Sequence, residues 1–338
     1  MPPEPMRTDI AVIGAGPVGL FAVFEAGMLG MRCAVLDALA TVGGQCAALY
    51  PDKPIYDIPG YPRIRADELV AKLEQQAAPF HPTYLLGQPV TALTPADSGW
   101  LVQAADGRSV AAKAVLIAAG CGAFGPNRPP LPRLAEFEGR SVFYLVSRRE
   151  DFRDRRVVIA GGGDSAVDWA LSLAELARQV KVVHRRDKFR AAPEMERRLR
   201  ALAAVGKVEL VIPYQLDSLE GDDGNLRAVI VRDFDGTTRR LEADALLALF
   251  GLSMDLGPVA TWGLELESGH IRVDPASLQT SVAGIYAIGD IARYPGKLKL
   301  ILSGFSEAAM AAHAIYPRVF PDKALHFEYS TTKGIPAG

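Results

Sequence analysis

Cysteine is scarce in this chain: three in 338 residues, at Cys33, Cys46 and Cys121, with no CxxC among them. An odd, scattered set supports neither a disulfide framework nor a zinc site. An excess of one charge is missing too. With 37 basic and 39 acidic side chains the formal net charge is -2, so no global attraction draws the chain to nucleic acid or to an anionic membrane. Any charged partner has to meet a local patch. The longest apolar run, residues 10–30, is not a membrane span, because three close glycines, Pro17 and Glu25 interrupt it. It reads as a buried strand, a turn and a buried helix. The opening MPPEPMRTD has no apolar stretch and no cleavage site, so no secretory signal is read there and the cytoplasm is the expected location.

What is present is apolar bulk and glycine in order. A chain of 338 residues, 49% of them hydrophobic, exceeds what one core usually serves, and two domains are expected. From Thr8 the sequence TDIAVIGAGPVGLFAVFEAGMLGMRCAVLD gives a β-rich run, then Gly14, Gly16 and Gly19 as GxGxxG, a helix, and a second strand ending at Asp37. Gly14 allows the tight turn, Gly16 lets a pyrophosphate approach the backbone, and Gly19 lets helix and strand pack closely. The helix N-terminus presents amides and positive dipole to the phosphates, while Asp37 stands where a carboxylate accepts ribose hydroxyls.

The pattern recurs in RRVVIAGGGDSAVDWALSLAELARQVKVVHRRDKFRA, with Gly161, Gly163 and Ala166 at the small positions and Ser165 between them. Here the second strand ends in His184, Arg185 and Arg186, with Arg190 close behind. An acid there would repel a 2'-phosphate, whereas guanidinium groups bind one bidentately, so this site is expected to prefer NADP(H) to NAD(H). Two unlike fingerprints imply two nucleotides: FAD held at the acid-ended site, NADPH exchanging at the other. Late in the chain, GIYAIGDIA offers Asp290 to a flavin's ribityl hydroxyls.

The expected class is α/β, with two Rossmann-like nucleotide-binding domains, one inserted in the other. Residues 1–119 and 251–320 are assigned to FAD, 120–250 to NADPH, and 321–338 to a tail over the flavin. Within the insert the reading is a helix from Asp164, a strand ending near His184, a helix through PEMERRLRALAA, and antiparallel strands turning at Asp235 and Gly236. A further helix is expected over 303–315.

Chains of this layout often carry a redox dithiol, and both usual placements fail here. A CxxxxC after Gly43 and Gly44 needs a cysteine at 51, where Pro51 stands, and FYLVSRREDFRDRR ahead of the second fingerprint holds none. Cys46 therefore has no resolving partner. Electrons must leave a flavin directly, to a one-electron carrier, a quinone-like molecule or oxygen. Five arginines in SRREDFRDRR suggest a basic surface for an acidic protein, or else a solvated face balanced by Glu150, Asp151 and Asp154.

Taken together, GAGPVGLFA, GGQCAALYPDKPIYDIPGYP, AAGCGAFGP, GGGDSAVDWA with HRRDKFRA, AIGDIARYPGKLKLI and the tail LHFEYSTTKG resemble the thioredoxin-reductase-like (type 2) ferredoxin–NADP+ reductases over essentially the whole chain. The resemblance implies a homodimeric flavoenzyme that moves a hydride between NADP(H) and FAD and single electrons between FAD and ferredoxin or flavodoxin. It implies that Asp37 binds the FAD ribose, that Gln45 and Tyr50 contact the flavin end, and that Val90 and Phe124 touch the cofactor. Asp290 would hold the ribityl chain and Thr331 would reach the ring from the partner subunit. Tyr50 and Tyr329 are expected to stack on the two flavin faces, so the tail or the NADPH domain must move to admit nicotinamide. No side chain is assigned as acid or base. An NADPH oxidase, a disulfide reductase using an outside thiol and a non-catalytic NADPH sensor stay open as alternatives.

Overall fold

A computed structural model describes residues 4–146, 148–325 and 334. The chain forms two compact units, Met1–Phe124 with Met254–Gly338, and Gly125–Ser253. The crossings fall a few residues beyond those read from sequence because each is itself a short strand, Ala123–Pro126 and Leu252–Asp255, and these pair with each other.

In the first unit, strand Met6–Ile13 is buried from Thr8 onward because it has a parallel neighbour on each side. Ile10 faces Cys33 of Cys33–Leu36 across one edge and Ala114 of Ser109–Ile117 across the other. Residues 10–13, paired on both edges, are covered on both faces and read as the unbroken apolar run IAVI, while the buried Thr8 and Asp9 before them hydrogen-bond to the Arg32 backbone. Strand Ser109–Ile117 shares its far edge: Gly99–Ala104 pairs antiparallel with its first half and Ile285–Ala287 parallel with its second. This late return to the sheet centre carries Gly289 to Val18, 3.6 Å from where a Cβ on the glycine would sit. Helix Pro17–Met28 packs on helix Ile301–Val319, and Gly304 makes room, since a Cβ there would lie 2.3 Å from Val18 Cγ2. The second helix starts two residues before the expected 303 and runs past 315 because its buried stripe continues through Val319.

The second unit has a five-stranded parallel sheet in the order Val142–Phe143, Ala245–Ala248, Arg156–Ala160, Gln179–Val183, Val208–Val211. Helices Asp164–Leu173 and Pro193–Ala204 cover it, sealing Ile159, Val167, Leu173, Val182 and Leu199. Strands Asn225–Arg232 and Thr238–Glu242 form the expected hairpin, joined by a longer loop than Asp-Gly alone. Asp233 Oδ1 accepts the amides of Asp235 and Thr237, which closes it. Among the described residues no helix is long and apolar enough to cross a membrane.

Candidate functional site

The first fingerprint is tight by construction. Gly14 has φ +112°, and a Cβ there would lie 2.4 Å from the carbonyl oxygen of Ala118. A Cβ on Gly19 would lie 2.0 Å from the carbonyl oxygen of Gly14, so the helix closes directly on the turn. Gly16, by contrast, has nothing within 4 Å of where its Cβ would be, and it starts the helix with no side-chain cap. Open space and uncapped amides at a helix N-terminus together make an anion seat.

Asp37 is built into the same turn. Its Oδ2 accepts the Ala15 amide at 2.6 Å and its Oδ1 the Leu39 amide at 2.8 Å, which leaves a lone pair on each oxygen for a ligand. Burial raises the carboxyl above the usual carboxylate range, and the two amides pull it part of the way back. A second loop is stitched alongside: the Gly43 amide donates to the Ala15 carbonyl at 2.8 Å, and Gly44, at φ +53°, abuts Gly16. From there a short helix, Gly44–Leu49, delivers Gln45, Cys46 and Tyr50.

These elements enclose a cavity of about 380 Å³. Gly14, Gly16, Asp37, Gln45, Tyr50, Val90 and Asp290 all line it, and Gly19 stands behind it as packing. The FAD expected from the sequence fits these residues: a volume on the scale of ligand sites, an open anion seat, and a carboxylate at the ribose position. The Cys46 thiol donates to the Tyr50 hydroxyl at 3.7 Å. Burial raises the phenol far above its ordinary range, the Cys46 thiol next, and Asp290 and Cys121 raise it further. Burial also raises Cys46, so the thiol stays protonated at neutral pH. Phe124 lies in a described strand, but its side chain, like Tyr329 and Thr331, lies outside the described residues.

The second fingerprint repeats the first with looser parts. Gly161 would place a Cβ 2.5 Å from the Leu249 carbonyl oxygen, Gly163 has open space, and Ala166 fills the third position. Ser165 is exposed in the first helical turn. The 184–190 loop folds back on the glycines: the Arg190 amide donates to the Gly162 carbonyl at 2.6 Å. Arg185, Arg186 and Arg190 are exposed beside this turn. His184 behaves differently. Its ring lies against Gly162, where any Cβ would be 2.2 Å away, and stacks on Phe189 at 5.1 Å. Burial first, and then the neighbouring arginines, lower its pKa against a partial offset from the Lys188 backbone, so the ring is neutral at pH 7.

Three of the five arginines in SRREDFRDRR are ion-paired: Arg148 with Asp151, Arg149 with Glu175, and Arg156 with Asp244 and Glu242. The run is therefore closer to a balanced face than to a bare cationic strip. Two functional groups escaped the sequence reading. Asp164 Oδ1 accepts the Ala192 amide at 2.9 Å, tying the arginine loop to the helix start. Glu307 is buried against the turn at Gly289. It shares the helical spacing of Gly304, Ala308 and Ala311, so a helical-wheel reading would have placed it on the buried stripe.

An acid-ended and an arginine-ended dinucleotide fingerprint in one chain define the class, a two-nucleotide oxidoreductase. The chain belongs to the pyridine nucleotide-disulphide oxidoreductase family, whose model matches residues 8–314. Within curated proteins it is 61% identical over 333 residues to the ferredoxin–NADP reductase of Paramagnetospirillum magneticum, covering 98% of this chain and 99% of that protein. It is 57% identical to the ferredoxin–NADP reductase of Rickettsia akari, covering 97% and 98%. Among solved structures, the thioredoxin reductase of Lactococcus lactis matches with a TM-score of 0.80 at 25% identity, covering 93% of this chain and 99% of that one. The bacillithiol disulfide reductase of Bacillus cereus, with a TM-score of 0.78 at 18% identity over 93% and 100%, shares the fold.

Proposed function

We propose that this chain is an FAD-dependent ferredoxin–NADP+ reductase, moving a hydride between NADP(H) and FAD and single electrons between FAD and an acidic carrier, ferredoxin or flavodoxin. The observation that carries this reading is the pairing of acid-ended and arginine-ended nucleotide sites in a sequence with no cysteine at either usual dithiol placement, position 51 or the segment ahead of the second fingerprint. FAD, when bound, supplies the conversion between two-electron and one-electron transfer.

The chain's own residues bind and orient. The turn at Gly14 and Gly16 seats the pyrophosphate on the helix N-terminus, and Asp37 accepts from the ribose hydroxyls. Tyr50 offers its ring plane and Gln45 its amide at the flavin end, Val90 flanks the cofactor, Asp290 accepts from the ribityl chain, and Phe124, whose side chain lies outside the described residues, keeps its expected role there. Gly161, Gly163, Ser165 and Ala166 seat NADPH, whose 2'-phosphate meets Arg185, Arg186 and Arg190. His184 orients that loop as a neutral ring. The reading keeps Tyr329 as a stacking ring and Thr331 as a contact from the partner subunit, both outside the described residues, and with them a homodimer in the cytoplasm. No group transfers a proton in the hydride step.

A reductase acting on an outside disulfide is the second reading, favoured by Cys46 lining the cavity beside Tyr50. Anaerobic stopped-flow reduction by NADPH and by NADH, followed by mixing with oxidised ferredoxin, decides between them. Fast bleaching by NADPH, slow bleaching by NADH and prompt reoxidation by ferredoxin are expected. A flavin that NADPH bleaches and ferredoxin leaves reduced would overturn the assignment of the acceptor.

A further inference from the structure

Lys297 and Glu307 form an ion pair whose side chains are 2% and 3% exposed. Taking two charges out of water costs several kcal/mol per ion, on the order of what their attraction returns, so burial on this scale is poor evidence of a stabilising device. Its surroundings show what it holds. Glu307 accepts three donors: the Lys297 ammonium, the Tyr294 hydroxyl at 2.6 Å and the Gly289 amide at 2.7 Å. Gly289 sits at φ +73° in the short helical turn Gly289–Ile291, and its neighbour Asp290 lines the cavity. The same turn is backed by Val18 of the fingerprint helix, which also fills the space left by Gly304.

Residues 289–297 thus fold back on helix Ile301–Val319 around one carboxylate. The Lys297 amide donates to the Tyr294 carbonyl at 3.2 Å, and the Lys297 ammonium lies 5.6 Å from the centre of the Tyr294 ring. Lys297 is consequently no surface cation, although RYPGKLKL reads as a basic loop. Remove either charge and the other is left buried without its counter-ion, beside the backbone that carries Asp290.

We propose that Lys297 and Glu307 are positioning residues for the cofactor, fixing the turn at Gly289 so that the Asp290 carboxylate is held at the cavity before the cofactor arrives. The proposal rests on the reading of this cavity as the FAD site. Its sequence signal is an acid on the buried stripe of an alanine-rich helix, answered by a lysine ten residues earlier.

The test is titration of apoprotein with FAD, followed by quenching of flavin fluorescence, with thermal unfolding of the same apoproteins alongside. K297M and E307Q are each expected to raise the Kd for FAD about tenfold or more. In K297M/E307Q the rise is smaller than the product of the two, because no buried charge is left without its partner. A pair that serves the fold alone would lower the melting temperature and leave Kd unchanged, which would overturn the proposal. If K297M does not fold, Y294F decides, since it removes one hydroxyl donor: a rise of roughly threefold supports the proposal, and an unchanged Kd overturns it. D290N separates this failure from a failure of the site reading. If D290N binds FAD normally, the assignment of Asp290 falls and the proposal with it. If D290N weakens binding while the pair's variants do not, only the pair's role falls.

Discussion

A Cβ on Gly14 would lie 2.4 Å from the Ala118 carbonyl oxygen, and a Cβ on Gly161 would lie 2.5 Å from the Leu249 carbonyl oxygen. In both units the first glycine of the fingerprint is where the turn crosses the backbone end of a neighbouring strand. In both, the second glycine starts a helix in extended conformation with open space above it. The units part company behind that shared turn. The first closes with Gly19 against Gly14 and half-buries an acid that is hydrogen-bonded at both oxygens; the second relaxes to Ala166 and leaves three arginines in water. An enclosed seat suits a resident cofactor, and an open seat with long cationic arms suits one that exchanges.

The largest effect is expected from the glycines. In Gly14→Ala the new methyl meets a backbone carbonyl that has no flexible end to move, at a φ that already costs a residue with a Cβ about 1–3 kcal/mol. The purified protein is expected to be colourless. Gly161→Ala should stay yellow and lose NADPH affinity instead; loss of flavin in Gly161→Ala would break the comparison.

Next come the arginines. Replacing Arg185 and Arg186 together by alanine removes charge-assisted contacts worth about 1.5–3 kcal/mol each, so the KM for NADPH should rise by about two to four orders of magnitude. The rate with NADH should not change. Steady-state kinetics with both nucleotides read this directly, and an equal loss with NADH would remove the arginines from phosphate recognition.

A smaller effect separates His184 from those arginines. Its folded-state pKa lies below the ordinary histidine value of about 6.5, so the unfolded chain binds the extra proton more readily. The stability set by the neutral ring is complete above about pH 6.5 and declines as pH falls below it. Thermal unfolding of the holoprotein across that range should show the decline, and His184→Gln should flatten it. An unchanged acid limb in the variant would place the sensitivity elsewhere.

The smallest effect is expected at Cys46. Burial keeps its thiol protonated, and Cys46→Ala removes a weak donor to Tyr50. NADPH-driven transfer to ferredoxin should persist at the wild-type rate. Loss of that transfer with flavin still bound would make the thiol part of the electron path.

Much of the frame was legible because it depends on local rules. Helix Asp164–Leu173, strand Gln179–Val183 and helix Pro193–Ala204 lie where glycine spacing, an apolar β-run and a proline at the helix start put them. The seats at Gly16 and Gly163 follow from the same spacing. The basic run at 147–156 left two readings open, and the local pattern held only part of the answer: Arg148 pairs with Asp151 inside the run, whereas Glu175, Glu242 and Asp244, which pair with Arg149 and Arg156, lie far along the chain. His184 shows the same limit: adjacent to two arginines in sequence, it turns inward because Gly162 and Phe189 offer it apolar surface.

By itself, then, the sequence determined the two turns, the acid at the end of one strand and the arginines at the end of the other, since each depends on residues within one strand-turn-helix unit. Only the tertiary structure decided that Ile285–Ala287 returns to the centre of the first sheet, that Asp290 joins Asp37, Gln45 and Tyr50 around one cavity, and that Glu307 meets Lys297 behind it. The first two meetings join segments well over a hundred residues apart, and the third joins a loop to the next helix; all are fixed by which strand pairs with which and by the space a glycine leaves, neither of which a local pattern contains.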